Sequence, residues 1–286
     1  MTLFQIIVLA VVQGAAELLP VSSSAHVIVA EKLMGLDPTN PEMTLLLVML
    51  HAGTMFAVIF YFWRSWKASF FASQQVFWAA VKLIVIATGL TGVVGLLLKY
   101  IIEKFFMAGH PHAEIELLFG NLAMISASLA VVGILIIVAG RTSRGVAGGD
   151  ALSVTDSSLI GIVQGICLPF RGFSRSGATI STGLLLGIAK ARAEEFSFAL
   201  AVILTPPVIA REVLRLLKAQ HEPALNIASA AGLLYPSLLG MILSFLAGLA
   251  ALRWLSSWLE RGRWHFFGIY CLGASFVVFL LQKNGF

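Results

Sequence analysis

The sequence predicts an all-α polytopic membrane protein of about six transmembrane helices and two re-entrant helical hairpins, on three observations. First, 59% of the 286 residues are hydrophobic and only 12% charged, against about 25% charged in an average soluble domain. So few charges cannot cover a water-facing surface, and a mean hydropathy of +0.94 makes the bilayer the main solvent. Second, apolar runs long enough to cross the hydrocarbon core, about 20 residues each, recur along the chain. Third, two further apolar stretches are broken midway by polar and glycine-rich clusters.

In chain order, the first broken stretch is 3–30, interrupted by SSSAH. It lacks a basic start, and Gln13 and Glu17 interrupt its apolar run, so it reads as part of the mature fold rather than a signal peptide. Spanning runs follow at 44–63, 82–98 and 117–139. The second broken stretch, 158–188, is interrupted by RGFSRSGAT, and spans at 196–217, 226–252 and 265–282 complete the chain. Each half of a broken stretch is too short to cross alone. Broken helices at membrane depth are tolerated only where protein or water satisfies the freed backbone groups, so both stretches read as re-entrant hairpins.

The two hairpins also resemble each other. Val12-Gln13-Gly14 recurs as Val163-Gln164-Gly165, an offset of 151 residues at which Ser23 falls on Ser174. Each break follows a proline, Pro20 or Pro169, and each is followed by a run ending in glycine, Gly35 or Gly187. This pattern predicts one integral membrane domain, 1–286, duplicated into halves of roughly 1–140 and 150–286. Alternating the six spans places ten of the nineteen Lys/Arg on one side and seven on the other. The richer side is expected in the cytoplasm. Three spans separate the hairpins, so they enter from opposite sides as an inverted repeat.

The net charge of +5 and pI of about 9.4 do not indicate nucleic acid. The basic residues sit between apolar runs without interleaved aromatics and read as headgroup anchors, Arg64, Lys67, Arg261 and Arg263 among them. Cys167 and Cys271 lie in apolar segments and read as small buried hydrophobes.

Three groups of residues carry chemistry. Gln13 and Glu17 are four apart, hence one turn apart on one helix face. An intramembrane carboxylate is costly and marks a functional site, and a Glu–amide pair supplies oxygen ligands for a hard divalent cation, Mg²⁺ or Ca²⁺. The alternative is a protonated Glu17 hydrogen-bonded within the fold. Ser22, Ser23, Ser24 and His26 occupy the first break. A serine beside a histidine is the minimum for nucleophilic attack with proton transfer, and a helix N-terminus favours phosphate. The alternative is that these serines cap a helix. In the second break, Ser174, Ser176 and Thr179 offer hydroxyls, and Arg175 offers a fork matched to phosphate oxygens. Its alternative is a structural bridge to Glu17. Together the groups suit phosphoryl transfer.

QGAAELLPVSSSAH and RGFSRSGAT resemble the two signature motifs of the undecaprenyl-diphosphate phosphatase family, membrane enzymes associated with bacitracin resistance. The resemblance runs over nearly the whole chain, including FWRSW at 62–66 and EEFSF at 194–198. It implies two inverted re-entrant hairpins in a bacterial inner (plasma) membrane, with the active site facing the periplasm or exterior. It also implies release of inorganic phosphate from undecaprenyl diphosphate, recycling the lipid carrier for cell-wall polymers. Carried over, Gln13 and Glu17 match the metal-linked and catalytic motif, Ser23 the usual nucleophile and His26 the acid/base. Ser174, Arg175, Ser176 and Thr179 match the second motif, with Arg175 as the diphosphate clamp.

This chain departs from the family pattern in three places. Gln13 stands at the first acidic position, Arg171 precedes Gly172 where the pattern begins Pro-Gly, and His51 stands where many relatives carry glutamine. His51 reads as a packed, hydrogen-bonded histidine, and His110, His112, Glu114 and Glu116 as a solvated loop. The expected partners are the polyprenyl diphosphate substrate and membrane lipids, with a homodimer open and no nucleic acid. The rival reading is a transporter or flippase of polyprenyl phosphates, because inverted repeats and broken helices are typical of transporters.

Overall fold

The computed structural model describes residues 1–36, 41–106, 121–143, 151–219 and 227–284. The expected solvated loop with His110, His112, Glu114 and Glu116 lies outside them. The first broken stretch is a pair of helices, α1 (Leu3–Leu18) and α2 (Ser23–Leu33), followed by α3 (Pro41–Ser69), α4 (Gln74–Ile101) and α5 (Leu122–Thr142). The second is α6 (Val154–Cys167) and α7 (Arg175–Leu185), followed by α8 (Lys190–Ala219), α9 (Ile227–Glu260) and α10 (His265–Lys283). A short π-helical turn, Ile102–Phe106, extends α4.

Five helices are long and apolar enough to cross a membrane among the described residues, namely α3, α4, α5, α9 and α10. The expected sixth span is α8, a continuous 30-residue helix that carries Pro206 and Pro207 inside it. The helices overrun the predicted windows because their polar ends stay helical, as at Arg64 and Lys67 of α3. The two halves of each hairpin stay short, 16 and 11 residues in the first and 14 and 11 in the second.

Local chemistry sets these ends. Thr2 caps α1 in a reciprocal box with Gln5, and Ser153 caps α6 in the same way with Asp156. Leu19, held extended (φ −72°, ψ 152°) before Pro20, ends α1. Ser22 then turns the chain into α2 with φ 68°, a positive φ found at no other non-glycine residue described. Such a conformation is rare outside glycine and marks a constrained turn.

α1 packs on α9, and α6 packs on α4. Both contacts are backbone-close at a glycine. A Cβ on Gly14 would stand 2.6 Å from the Ser244 carbonyl oxygen, and one on Gly165 would stand 2.9 Å from that of Thr91. α5 pairs with α10 and α3 with α8 and α9. The core between them includes Leu18, Phe62, Phe196, Phe198, Leu252 and Trp264. The outer face is as apolar as the core: Phe60, Leu96 and Phe276 are all more than 60% exposed. Leaving such side chains out of the core is stable only where the solvent is itself hydrocarbon.

Candidate active site

The two hairpins meet at their breaks. The Gly172 N–H donates to Ser24 Oγ at 3.4 Å, and Ser176 Oγ donates to the Leu19 carbonyl at 3.3 Å. Gly172 has φ +96°, and a Cβ there would stand 2.5 Å from the Ile125 carbonyl oxygen, so only glycine fits this approach.

Glu17, at the end of α1, is the centre of the cluster. Its Oε2 accepts from Ser23 Oγ at 2.5 Å and from Gln13 Nε2 at 3.2 Å. Its Oε1 accepts from Arg175 Nη2 at 3.1 Å. On the remaining side His51 Nε2 of α3 stands 3.8 Å from Oε2. His51 Nδ1–H donates to the Leu47 carbonyl at 2.8 Å, so the histidine is hydrogen-bonded as expected and also turned toward the carboxylate.

Ser23 and Arg175 are each the first residue of a half-helix, α2 and α7. The turns at Ser22 and Gly172 aim them at one carboxylate, although 152 residues separate them in sequence. Arg175 donates a single N–H to Glu17, and its other guanidinium groups meet no acceptor among the described residues. With 21% of the Arg175 side chain and 18% of the Glu17 side chain exposed, both reach an opening. At the start of α2, Ser22 makes no side-chain cap bond, so the N–H groups of that turn are also left for a ligand.

The other residues singled out in the sequence divide into two sets. Ser22 Oγ and Ser24 Oγ lie 3.2 Å apart at the first tip, beside the cluster. Ser174 caps α7 by accepting from the Gly177 N–H, at 3.2 Å. Thr179 Oγ1 donates to the Arg175 carbonyl at 2.8 Å and lies 2.6 Å from Ser197 Oγ of α8. Ser174, Ser176 and Thr179 are all buried and support the turn that carries Arg175. Of this second motif, Arg175 alone reaches Glu17.

His26 does not face Ser23. Its Nδ1–H donates to the Ser22 carbonyl, and its Nε2 lies 2.7 Å from Tyr270 Oη of α10. A serine–histidine adjacency in sequence thus becomes a serine–glutamate contact in space. Tyr270, 244 residues from His26, left no signal in the sequence.

A hard cation fits this donor set only in part. Glu17 contributes one carboxylate, Gln13 an amide and Ser23 a hydroxyl, and no group of three His, Cys, Asp or Glu side chains lies together among the described residues. One carboxylate with neutral oxygens suits Mg²⁺ or Ca²⁺ held jointly by substrate phosphates rather than in an all-protein cage.

Fold and site define a polytopic, all-helical membrane protein with an ionic and hydroxyl-rich cluster at the junction of two broken hairpins. Residues 6–277 match the family described as bacitracin resistance protein BacA, and the chain belongs to that family. It is 58% identical to undecaprenyl-diphosphatase 2 of Acinetobacter baylyi over 98% of both chains. It is also 34% identical to undecaprenyl-diphosphatase 1 of Burkholderia pseudomallei, over 96% of this chain and 95% of that one. The undecaprenyl-diphosphatase of Rhodopirellula baltica is 31% identical over 98% of both.

Proposed function

We propose that this chain hydrolyses undecaprenyl diphosphate to undecaprenyl phosphate and inorganic phosphate, recycling the lipid carrier of cell-wall synthesis. The observation that carries the reading is Arg175. A guanidinium on a half-helix inside an apolar bundle spends one N–H on Glu17 and holds the rest toward an opening. A phosphate matches that unspent fork.

Each residue then has a role. The diphosphate docks on Arg175 and on the N–H groups that open α2. Ser23 Oγ passes its proton to Glu17 Oε2, with which it already shares a hydrogen bond, and attacks the terminal phosphorus. The Oγ–P bond forms as the bridging P–O bond breaks, and undecaprenyl phosphate leaves with the electron pair. Water then hydrolyses the phosphoserine and restores Ser23. His26 handles protons on the other side of the break, and Ser22, Ser24, Ser174, Ser176 and Thr179 shape the phosphate-binding tips. Glu17 and Gln13 would hold Mg²⁺ or Ca²⁺, which when bound would neutralise phosphate charge.

The domain is read as a single body built from two inverted halves. Supporting this, the capping boxes at Thr2 and Ser153 are 151 residues apart, the same offset that relates Gln13 to Gln164. The α1–α9 and α6–α4 contacts are equivalent under the same relation. The charge asymmetry supports a site facing the periplasm or exterior of the inner membrane, and the exposed apolar faces leave room for a homodimer.

The test is phosphate release from undecaprenyl diphosphate by purified, detergent-solubilised protein, with and without chelator, beside Arg175→Ala. Metal-dependent release that the substitution lowers by about 10²–10³-fold is expected. No release by folded protein supplied with Mg²⁺ or Ca²⁺ would overturn the reading in favour of lipid-phosphate transport.

A further inference from the structure

We propose that Tyr270 is a positioning residue of this site, a hydroxyl on α10 that holds Nε2 of the His26 imidazole in one orientation. The inference rests on the phosphatase reading for its kinetic consequence, though not for its geometry.

A carbonyl oxygen only accepts, so the 2.7 Å contact of His26 Nδ1 with the Ser22 carbonyl puts a proton on Nδ1. In the neutral ring the lone pair then lies on Nε2. That nitrogen lies 2.7 Å from Tyr270 Oη, whose O–H is the matching donor. The two ring planes are 14° from parallel with centroids 5.7 Å apart, so the hydroxyl meets Nε2 from the edge of the imidazole, the side on which its lone pair lies. Hydrogen bonds at both nitrogens leave His26 one orientation.

Tyr270 is itself well placed to impose this. Its neighbour Cys271 is fully buried and donates its S–H to the Pro20 carbonyl at 3.3 Å. Two consecutive residues of α10 therefore hold the first hairpin on either side of the constrained Ser22. α10 is fixed in turn by its long packing against α5. Tyr270 remains half exposed, so the site is open on that side. Because Nδ1 is committed to a backbone carbonyl, Nε2 is where His26 takes up or gives back a proton during turnover. Tyr270 keeps that nitrogen aimed to one side.

The experiment compares wild type, Tyr270→Phe, His26→Ala and the double variant. Tyr270→Phe removes one oxygen from a half-exposed ring, so the fold is retained. kcat on undecaprenyl diphosphate should fall about tenfold with KM within about twofold. The double variant should be no slower than His26→Ala, the non-additivity expected of residues that act as a unit. In protein carrying ¹⁵N-histidine, the His26 signals, assigned by their loss in His26→Ala, should keep the Nδ1–H tautomer that the Ser22 carbonyl sets, while the Nε2 resonance shifts in Tyr270→Phe as its hydrogen bond is lost. A kcat within about twofold of wild type would overturn the proposal, as would an equal loss on the His26→Ala background. If the wild-type protein releases no phosphate, the phosphatase reading falls on its own. The spectra then decide the positioning, and an unchanged His26 signal in Tyr270→Phe overturns it.

Discussion

Glutamate, arginine and serine come together twice among the described residues, to different ends. Around Glu195, on the first turns of α8, Ser65 Oγ donates to Oε1, and Ser69 Oγ donates to Oε2 at 3.1 Å. Arg192 Nη1 donates to Oε2 at 2.7 Å, and its guanidinium lies over the Phe70 ring, 5.4 Å from the centroid. The neighbouring Glu194 accepts from Ser256, which accepts from Tyr61. Around Glu17 the same residue types gather, yet Arg175 spends one N–H and keeps the rest. Exposure does not distinguish them, since both arginine side chains are 21% exposed. The difference is in the backbone. Ser65, Ser69, Arg192 and Glu195 project from the uninterrupted helices α3 and α8, where donors and acceptors close on one another. Ser23 and Arg175 begin half-helices at breaks, so they point into a space that a ligand completes.

This contrast is broken or sharpened by substitution. The largest effect expected is at Ser23, where Ser23→Ala should lower kcat by about 10⁴-fold or more if its oxygen bonds to phosphorus. Near-normal turnover in that variant would transfer the attack to water. Arg175→Ala should cost about 10²–10³-fold in kcat, the scale of removing an oriented charge-stabilising donor. Arg192→Ala, measured alongside it, should leave turnover per folded molecule within a few fold of wild type. Equal losses at the two arginines would erase the distinction between the clusters. His51→Gln keeps a polar side chain beside Glu17 and should change kcat by about threefold or less, as for a contact at 3.8 Å. Glu195→Gln should leave chemistry alone and lower stability by about 1–3 kcal/mol, read as a lowered unfolding midpoint in detergent.

Much of this was legible in the sequence. Spanning runs follow from composition, and the hairpins from polar interruptions within apolar stretches. Glu17 and Arg175 stood out because uncompensated charge is rare in such surroundings, and their pairing was one of two alternatives raised. What stayed hidden lies across the breaks. Helical spacing relates Gln13 to Glu17, but the rotation of α2 against α1 depends on Pro20 and on Ser22 at φ 68°, which no periodicity reports. Ser23 was therefore assigned to His26, its neighbour along α2, when the turn delivers it to Glu17. Tyr270 was invisible for a related reason. It sits on the apolar α10, where a lone tyrosine reads as an interface residue.

The packing of α1 on α9 also bears on how the protein is made. α1 ends at residue 18, while the glycine contact that seats it requires Ser244 of α9. At about 5–20 residues per second, roughly 10–45 seconds separate their synthesis. Through that interval the first hairpin lacks its helical seat, and until Arg175 is made it also lacks the counter-charge for Glu17. The nascent chain therefore has to shelter one carboxylate beside the translocon until the second hairpin has emerged.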